Sequence, residues 1–67
     1  MAKIQLNGKK ILLKGNISIT ELLKKYKIDD KKVAFELNGK IIQKNLYKKI
    51  KIKSKDKIEI VQFIGGG

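Results

Sequence analysis

A chain of 67 residues with no cysteine and no histidine has room for one small domain, and neither disulfides nor a Cys/His metal site can staple it. All 17 basic residues are lysines, and six acidic residues bring the net charge to +11. A domain this small buries roughly 60% of the surface its unfolded chain exposes, so its core is thin. No stretch approaches the roughly 20 apolar residues that cross a bilayer. Met1-Ala2-Lys3 is followed by no long apolar run, so no signal peptide is read there. The expectation is a soluble cytoplasmic protein with no membrane partner. The charge raises the question of nucleic acid. Phosphate and base recognition, however, favours the planar fork of arginine. The four aromatics, Tyr26, Phe35, Tyr47 and Phe63, are also scattered and not grouped as a stacking platform. No nucleic-acid partner is expected, and the lysines read as a solvated face that can still be drawn to an acidic protein surface.

In chain order, residues 3–6 alternate, Asn7-Gly8 follows, and residues 10–14 carry a second apolar run. Asn-Gly between two such runs signals a hairpin, because a type I′ turn needs positive φ at both central positions. Gly15-Asn16 then breaks the second strand. A helix starts at Ser18, which forms a capping box with Glu21, while Ile17 and Leu22 have the spacing of a hydrophobic staple. Ile19, Leu22, Leu23 and Tyr26 fall on one stripe, with Lys24, Lys25 and Lys27 on the other face and in the last turn. Two turns are too few to stand alone, so this helix must lie on a sheet.

Residues 27–32 read as a polar connection anchored by Ile28, with Asp29 and Asp30 in loop roles. The third strand spans 33–37, with Val33, Phe35 and Leu37 on one face and Glu36 on the surface. Leu37-Asn38-Gly39-Lys40-Ile41-Ile42 then repeats Leu6-Asn7-Gly8-Lys9-Lys10-Ile11 almost literally, the same turn chemistry used twice. Within 43–53, Asn45 is placed to cap a single helical turn through Leu46, Tyr47 and Ile50, and Ile50 alternates with Ile52 as a short strand does. A turn over 54–57 leads into a last strand over 57–63. There Ile58 and Ile60 face the core, and Glu59, Val61 and Phe63 face away. The fold class that follows is α+β: a mixed sheet of about five strands with one main helix packed on one face. The first and last strands pair in parallel at the centre, a β-grasp arrangement, and the second sheet face stays open. The whole of 1–67 is taken as a single domain, with 64–67 as a flexible C-terminal glycine tail.

That tail, Ile64-Gly65-Gly66-Gly67, is the candidate functional feature. Glycine has no Cβ and can enter a narrow slot in almost any backbone conformation. A terminal glycine also offers the least hindered carboxylate to another enzyme.

These residues together resemble the ThiS family of sulfur carriers in thiamine thiazole synthesis, which are ubiquitin-like β-grasp proteins. The resemblance rests on Gln5-Leu6-Asn7-Gly8, Thr20-Glu21-Leu22-Leu23, Val33-Ala34-Phe35-Glu36-Leu37-Asn38-Gly39 with Ile41-Ile42, Asp56-Lys57-Ile58-Glu59-Ile60-Val61, and Gly65-Gly66-Gly67. It covers nearly the whole chain in one order. The departure is charge, since relatives are generally much less basic, and this leaves the partner's electrostatics open.

What the resemblance implies is a protein carrier and co-substrate, not an enzyme. An E1-like, ThiF-type adenylating enzyme would use ATP to activate Gly67. A sulfur donor derived from a cysteine desulfurase would convert the adenylate to a thiocarboxylate, and a ThiG-type thiazole synthase would take the sulfur. Gly65 and Gly66 would thread the partner's channel, and Val61, Phe63 and Ile64 would dock beside it. No catalytic residue, no metal and no bound cofactor is expected in the chain, since ATP is used by the activating partner. Three other readings stand beside it. They are a molybdopterin-type sulfur carrier, usually a somewhat longer protein, a ubiquitin-like modifier joined to lysines through the same activated glycine, and the basic nucleic-acid module already weighed.

Overall fold

The computed structural model describes residues 1–63. Its two hairpins come from the repeated Asn-Gly pair. Asn7 (φ 48°) and Gly8 (φ 83°) turn the chain between β1 (Ala2–Leu6) and β2 (Lys9–Leu13), and Asn38 (φ 52°) and Gly39 (φ 87°) do the same between β3 (Val33–Leu37) and β4 (Lys40–Ile41). All four residues adopt the left-handed conformation that a type I′ turn requires. The last strand, β5 (Lys57–Gln62), slots between the hairpins and gives the sheet order β2-β1-β5-β3-β4. It runs parallel to β1, with Gln5 opposite Lys57 and Leu6 opposite Ile58, and antiparallel to β3 from Leu37–Ile58 to Val33–Gln62. The mixed five-stranded sheet with one helix is the β-grasp arrangement expected from the sequence.

The helix α1 (Ile19–Lys25) covers one sheet face. Its start is capped as predicted. Ser18 Oγ accepts from Glu21 N–H at 3.1 Å, and the Glu21 carboxylate accepts from Ser18 N–H at 2.9 Å. Those hydrogen bonds hold the Glu21 carboxyl below its ordinary value of 4.5. Two further N–H groups of the first turn are satisfied from far along the chain, Ile19 by the carbonyl of Ile50 at 3.1 Å and Thr20 by that of Tyr47 at 3.1 Å. A helix start buried beneath other chain needs such partners.

Ile19, Leu22 and Leu23 are buried as their spacing predicts, but Tyr26 is 41% exposed and leaves the stripe. The helix ends first. Tyr26 is its C-cap, and Lys27 turns left-handed (φ 56°), so that Lys27 N–H bonds to the Lys24 carbonyl and Ile28 N–H to the Leu23 carbonyl. This is a Schellman closure with lysine where glycine is usual. It swings Tyr26 out and Ile28 in against the core.

Ala2, Ile4, Leu13, Phe35 and Ile58 from the sheet meet Ile19, Leu22 and Leu23 from the helix. The segment over 43–53 completes this core in a way the sequence did not announce. A 3-10 turn at Lys44–Leu46 starts at Gln43, not at Asn45, and no side chain caps it. The expected strand over 50–52 is reduced to one bridge, Ser18 to Lys51, supported by Ile52 N–H donating to the Ile17 carbonyl at 2.8 Å. Tyr47 and Ile52 are both buried, and the Tyr47 ring packs at 5.8 Å from that of Phe35, tilted by 56°. A second 3-10 turn, Asp30–Lys32, is capped by Asp29, whose carboxylate accepts from Lys31 N–H. No helix among the described residues is long and apolar enough to cross a membrane.

Replacing Ser18 with Ala should cost about 1 kcal/mol in denaturant unfolding. Because the Glu21 carboxyl is held low, its half of the cap is present above the unfolded value of 4.5 and is withdrawn as pH falls through the folded value, so wild-type stability should decline on acidification with a component missing from Glu21→Gln. Lys27→Gly should stabilise the protein by about 0.5–1 kcal/mol, because glycine carries no Cβ penalty at positive φ.

Candidate functional site

The last strand does two jobs along its length. One set of alternate residues belongs to the core, where Ile58 is fully buried and Ile60 packs at the core's edge. The other set faces outward. Strand alternation places Glu59, Val61 and Phe63 on the face opposite the helix, and Val61 is 60% and Phe63 56% exposed. The ladder still holds these residues in place. Ala34 lies opposite Val61, and Phe63 N–H donates to the Lys32 carbonyl at 3.0 Å. The two exposed side chains therefore project from a hydrogen-bonded backbone. Ile64, Gly65, Gly66 and Gly67 lie outside the described residues.

Register adds neighbours that the linear sequence did not bring together. Glu36 sits opposite both Glu59 of β5 and Ile41 of β4, so Ile41, 65% exposed, shares the open face with Ala34, Val61 and Phe63. Glu36 and Glu59 face each other directly, a like-charge pairing that costs stability in an antiparallel ladder. It leaves a negative spot beside the apolar strip on an otherwise lysine-rich protein. Two signals in the sequence could have found this: the alternation within each strand, and the hairpin register set by Asn38-Gly39.

The β1 side of β5 differs from the β3 side. β1 ends at Leu6, and the Asn7 side chain takes over from it. Asn7 Oδ1 accepts from Ile60 N–H at 2.7 Å, and Asn7 Nδ2 donates to the Ile60 carbonyl at 3.2 Å. The second turn grips the start of the same strand. Asn38 Oδ1 accepts from Lys57 N–H at 2.8 Å, and Asn38 Nδ2 donates to Asp56 Oδ1 at 3.0 Å. A groove at the outer end of the strand is lined by Ile60 and Gln62 together with Leu6, Asn7, Tyr26, Ile28 and Val33. A larger open trough lies away from this strand's outer end, over Lys3, Gln5, Lys10, Leu12, Lys55 and Asp56. Among the described residues no group of three or more His, Cys, Asp or Glu is placed to hold a metal ion. The described part of the site offers an exposed apolar strip on an ordered strand.

Comparison with known proteins gives this geometry a family. The model of the ThiS family matches residues 3–67. The sulfur carrier protein ThiS of Bacillus subtilis is 42% identical over 65 residues, spanning 96% of this chain and 98% of that protein. A thiazole synthase of Paramagnetospirillum magneticum is 37% identical over 65 residues, but the chain spans only 20% of its length. The crystal structure of the thiamine biosynthesis protein ThiS from Geobacter metallireducens superposes with a TM-score of 0.85 at 29% identity, covering 97% of this chain and 99% of that one.

Phe63→Asp should leave the fold and its stability unchanged to within about 0.5 kcal/mol, because the side chain projects from the open face. A loss of several times that in denaturant unfolding would place Phe63 in the core.

Proposed function

This chain belongs to the ThiS family, and we propose that it is the sulfur carrier of thiamine biosynthesis, holding sulfur on Gly67 for transfer into the thiazole ring. The observation that carries the proposal is the division of β5. Ile58 anchors the strand in the core, and Val61 and Phe63 then turn outward next to a stretch that ends in three glycines. A strand built that way presents its own end to a partner.

The chemistry follows from what a carboxylate lacks. It is a poor electrophile, so a ThiF-type enzyme would let the Gly67 carboxylate attack the α-phosphorus of ATP, releasing pyrophosphate and leaving an acyl-adenylate. A persulfide supplied by a cysteine desulfurase attacks the acyl carbon and expels AMP. A second thiol then cleaves the S–S bond and leaves the thiocarboxylate, an exposed sulfur nucleophile. Every acid, base and metal in this sequence comes from the partner enzymes. The carrier supplies reach and recognition. Gly65 and Gly66 present no side chain to the walls of a slot. Val61, Phe63 and Ile64 would bury apolar area at its mouth, where such anchors carry most of the binding energy.

The acceptor is a ThiG-type thiazole synthase. Support for that choice over a molybdopterin acceptor comes from the relative that is itself named a thiazole synthase and carries a stretch resembling this whole chain. The +11 charge bears on the rate of encounter with these partners, which should fall as salt rises.

Incubation with the adenylating enzyme, ATP and a persulfide donor should raise the intact mass by one O-to-S exchange, located on Gly67 by fragmentation. Deleting Gly66 and Gly67 should abolish the exchange without changing the unfolding midpoint. An unchanged mass in the presence of enzymes that are active on another carrier would sink the proposal, and isopeptide conjugates on lysines would favour a protein modifier instead.

A further inference from the structure

We propose that Asn7 is a positioning residue for partner docking: its side-chain amide continues the parallel ladder beyond the end of β1 and holds the outer part of β5 in the geometry that presents Val61 and Phe63. This rests on the carrier reading above and assigns to the hairpin turn a role in it.

Along the parallel pair, Gln5 N–H donates to the Asp56 carbonyl at 3.0 Å and Asn7 N–H to the Ile58 carbonyl at 2.9 Å. Evenly spaced parallel bonding would next have Ile60 N–H donate to the main-chain carbonyl of residue 7. That carbonyl is not there to accept, because positive φ at Asn7 and Gly8 has turned the backbone away into β2. Asn7 Oδ1 takes its place at 2.7 Å, and Nδ2 supplies the donor that a following strand residue would have given, at 3.2 Å to the Ile60 carbonyl. One side chain thus stands in for one more residue of β1.

The position of this contact matters more than its strength. Ile60 is the last β5 residue packed against the core, and Val61 and Phe63 follow it. From Ile60 outward the pairing to β3 holds one edge, ending with Phe63 N–H on the Lys32 carbonyl. On the other edge, the Asn7 amide is the outermost bond among the described residues. A strand held on both edges up to Ile60 cannot rotate about its axis there, and that rotation would turn Val61 and Phe63 off the open face. Asparagine is suited to both tasks, since it tolerates the left-handed turn and carries a donor and an acceptor on one planar group.

The protein contains its own control. Asn38 has the same turn conformation and the same following glycine, and its Oδ1 accepts from Lys57 N–H at the opposite end of β5, while its Nδ2 donates to the Asp56 carboxylate. Glycine suits the backbone at both positions, so Asn7→Gly and Asn38→Gly each delete a clamp and keep a turn.

Amide exchange on the full-length chain, read by NMR, should accelerate about tenfold at Ile60 and Phe63 in Asn7→Gly. In Asn38→Gly the acceleration should fall at Lys57 and spare the outer end. With the adenylating enzyme and ATP, pyrophosphate release should show the KM for the carrier raised about fivefold in Asn7→Gly with kcat unchanged, and neither altered in Asn38→Gly. Asn7→Asp, which keeps the acceptor and loses the donor, should fall between wild type and Asn7→Gly. Equal exchange at Ile60 and Phe63 in the two glycine variants overturns the inference whatever the enzyme does. Selective exchange with an unchanged KM overturns the docking role. A wild-type chain that the enzyme fails to adenylate removes the carrier reading, and the role assigned to Asn7 with it.

Discussion

Everything in this fold depends on the insertion of the last strand between the first and the third. Before β5 arrives, the chain consists of two separate hairpins and a short capped helix, none of which can bury its apolar face alone. The strand supplies Ile58, fully buried at the centre of the core, and converts two ribbons into one five-stranded sheet. Its pairings with β1 span nearly the whole chain, so loop closure must be met before the contacts reward it. The duplicated Leu-Asn-Gly turns make the capture firmer than backbone pairing alone. Each offers a side-chain amide to β5, one at Lys57 and one at Ile60, so the strand is gripped from both neighbours at staggered points.

The thin core is completed by a segment with almost no regular structure. Between β4 and β5 the chain crosses over the helix entrance, where the carbonyls of Tyr47 and Ile50 receive N–H groups of the first helical turn. The same segment drops Tyr47 and Ile52 into the core. One stretch thereby meets two needs: the helix start is satisfied without water, and a large aromatic ring fills space against Phe35. A helix of seven residues survives because its entrance is tied down by the capping box and by this crossing.

Burial divides β5 residue by residue. Ile58 and Ile60, facing the helix, hold the fold, and Glu59, Val61 and Phe63, facing away, stay exposed. The open face bears the mark of that division in its charges as well. Glu36 and Glu59 are two of only six acidic residues, and the register sets them directly opposite each other beside Val61 and Ile41. A pairing chosen for sheet stability would put opposite charges or β-branched side chains there. The observed pairing sets two carboxylates beside exposed apolar side chains on the one face.

Much of this was legible in the linear order of residues. Both Asn-Gly hairpins, the Ser18–Glu21 capping box, the burial of Ile19, Leu22 and Leu23, and the outward set of Val61 and Phe63 are local consequences of turn chemistry and periodicity. The sequence also offered the glycine end as the candidate functional feature, which lies outside the described residues. The tertiary structure decided what local rules do not reach. It ended the helix before Tyr26 by a left-handed lysine where no glycine announced a stop, and it gave residues 43–53 a path set by the orphan N–H groups of a distant helix. It brought Ile41 and Glu36 beside Val61 on the open face through register, and it turned Asn7 from a turn former into a clamp on Ile60. The physical reason is common to all four. Periodicity and turn preferences act over a few residues, whereas hydrogen-bond satisfaction and sheet register are settled between segments that meet only once the last strand is in place.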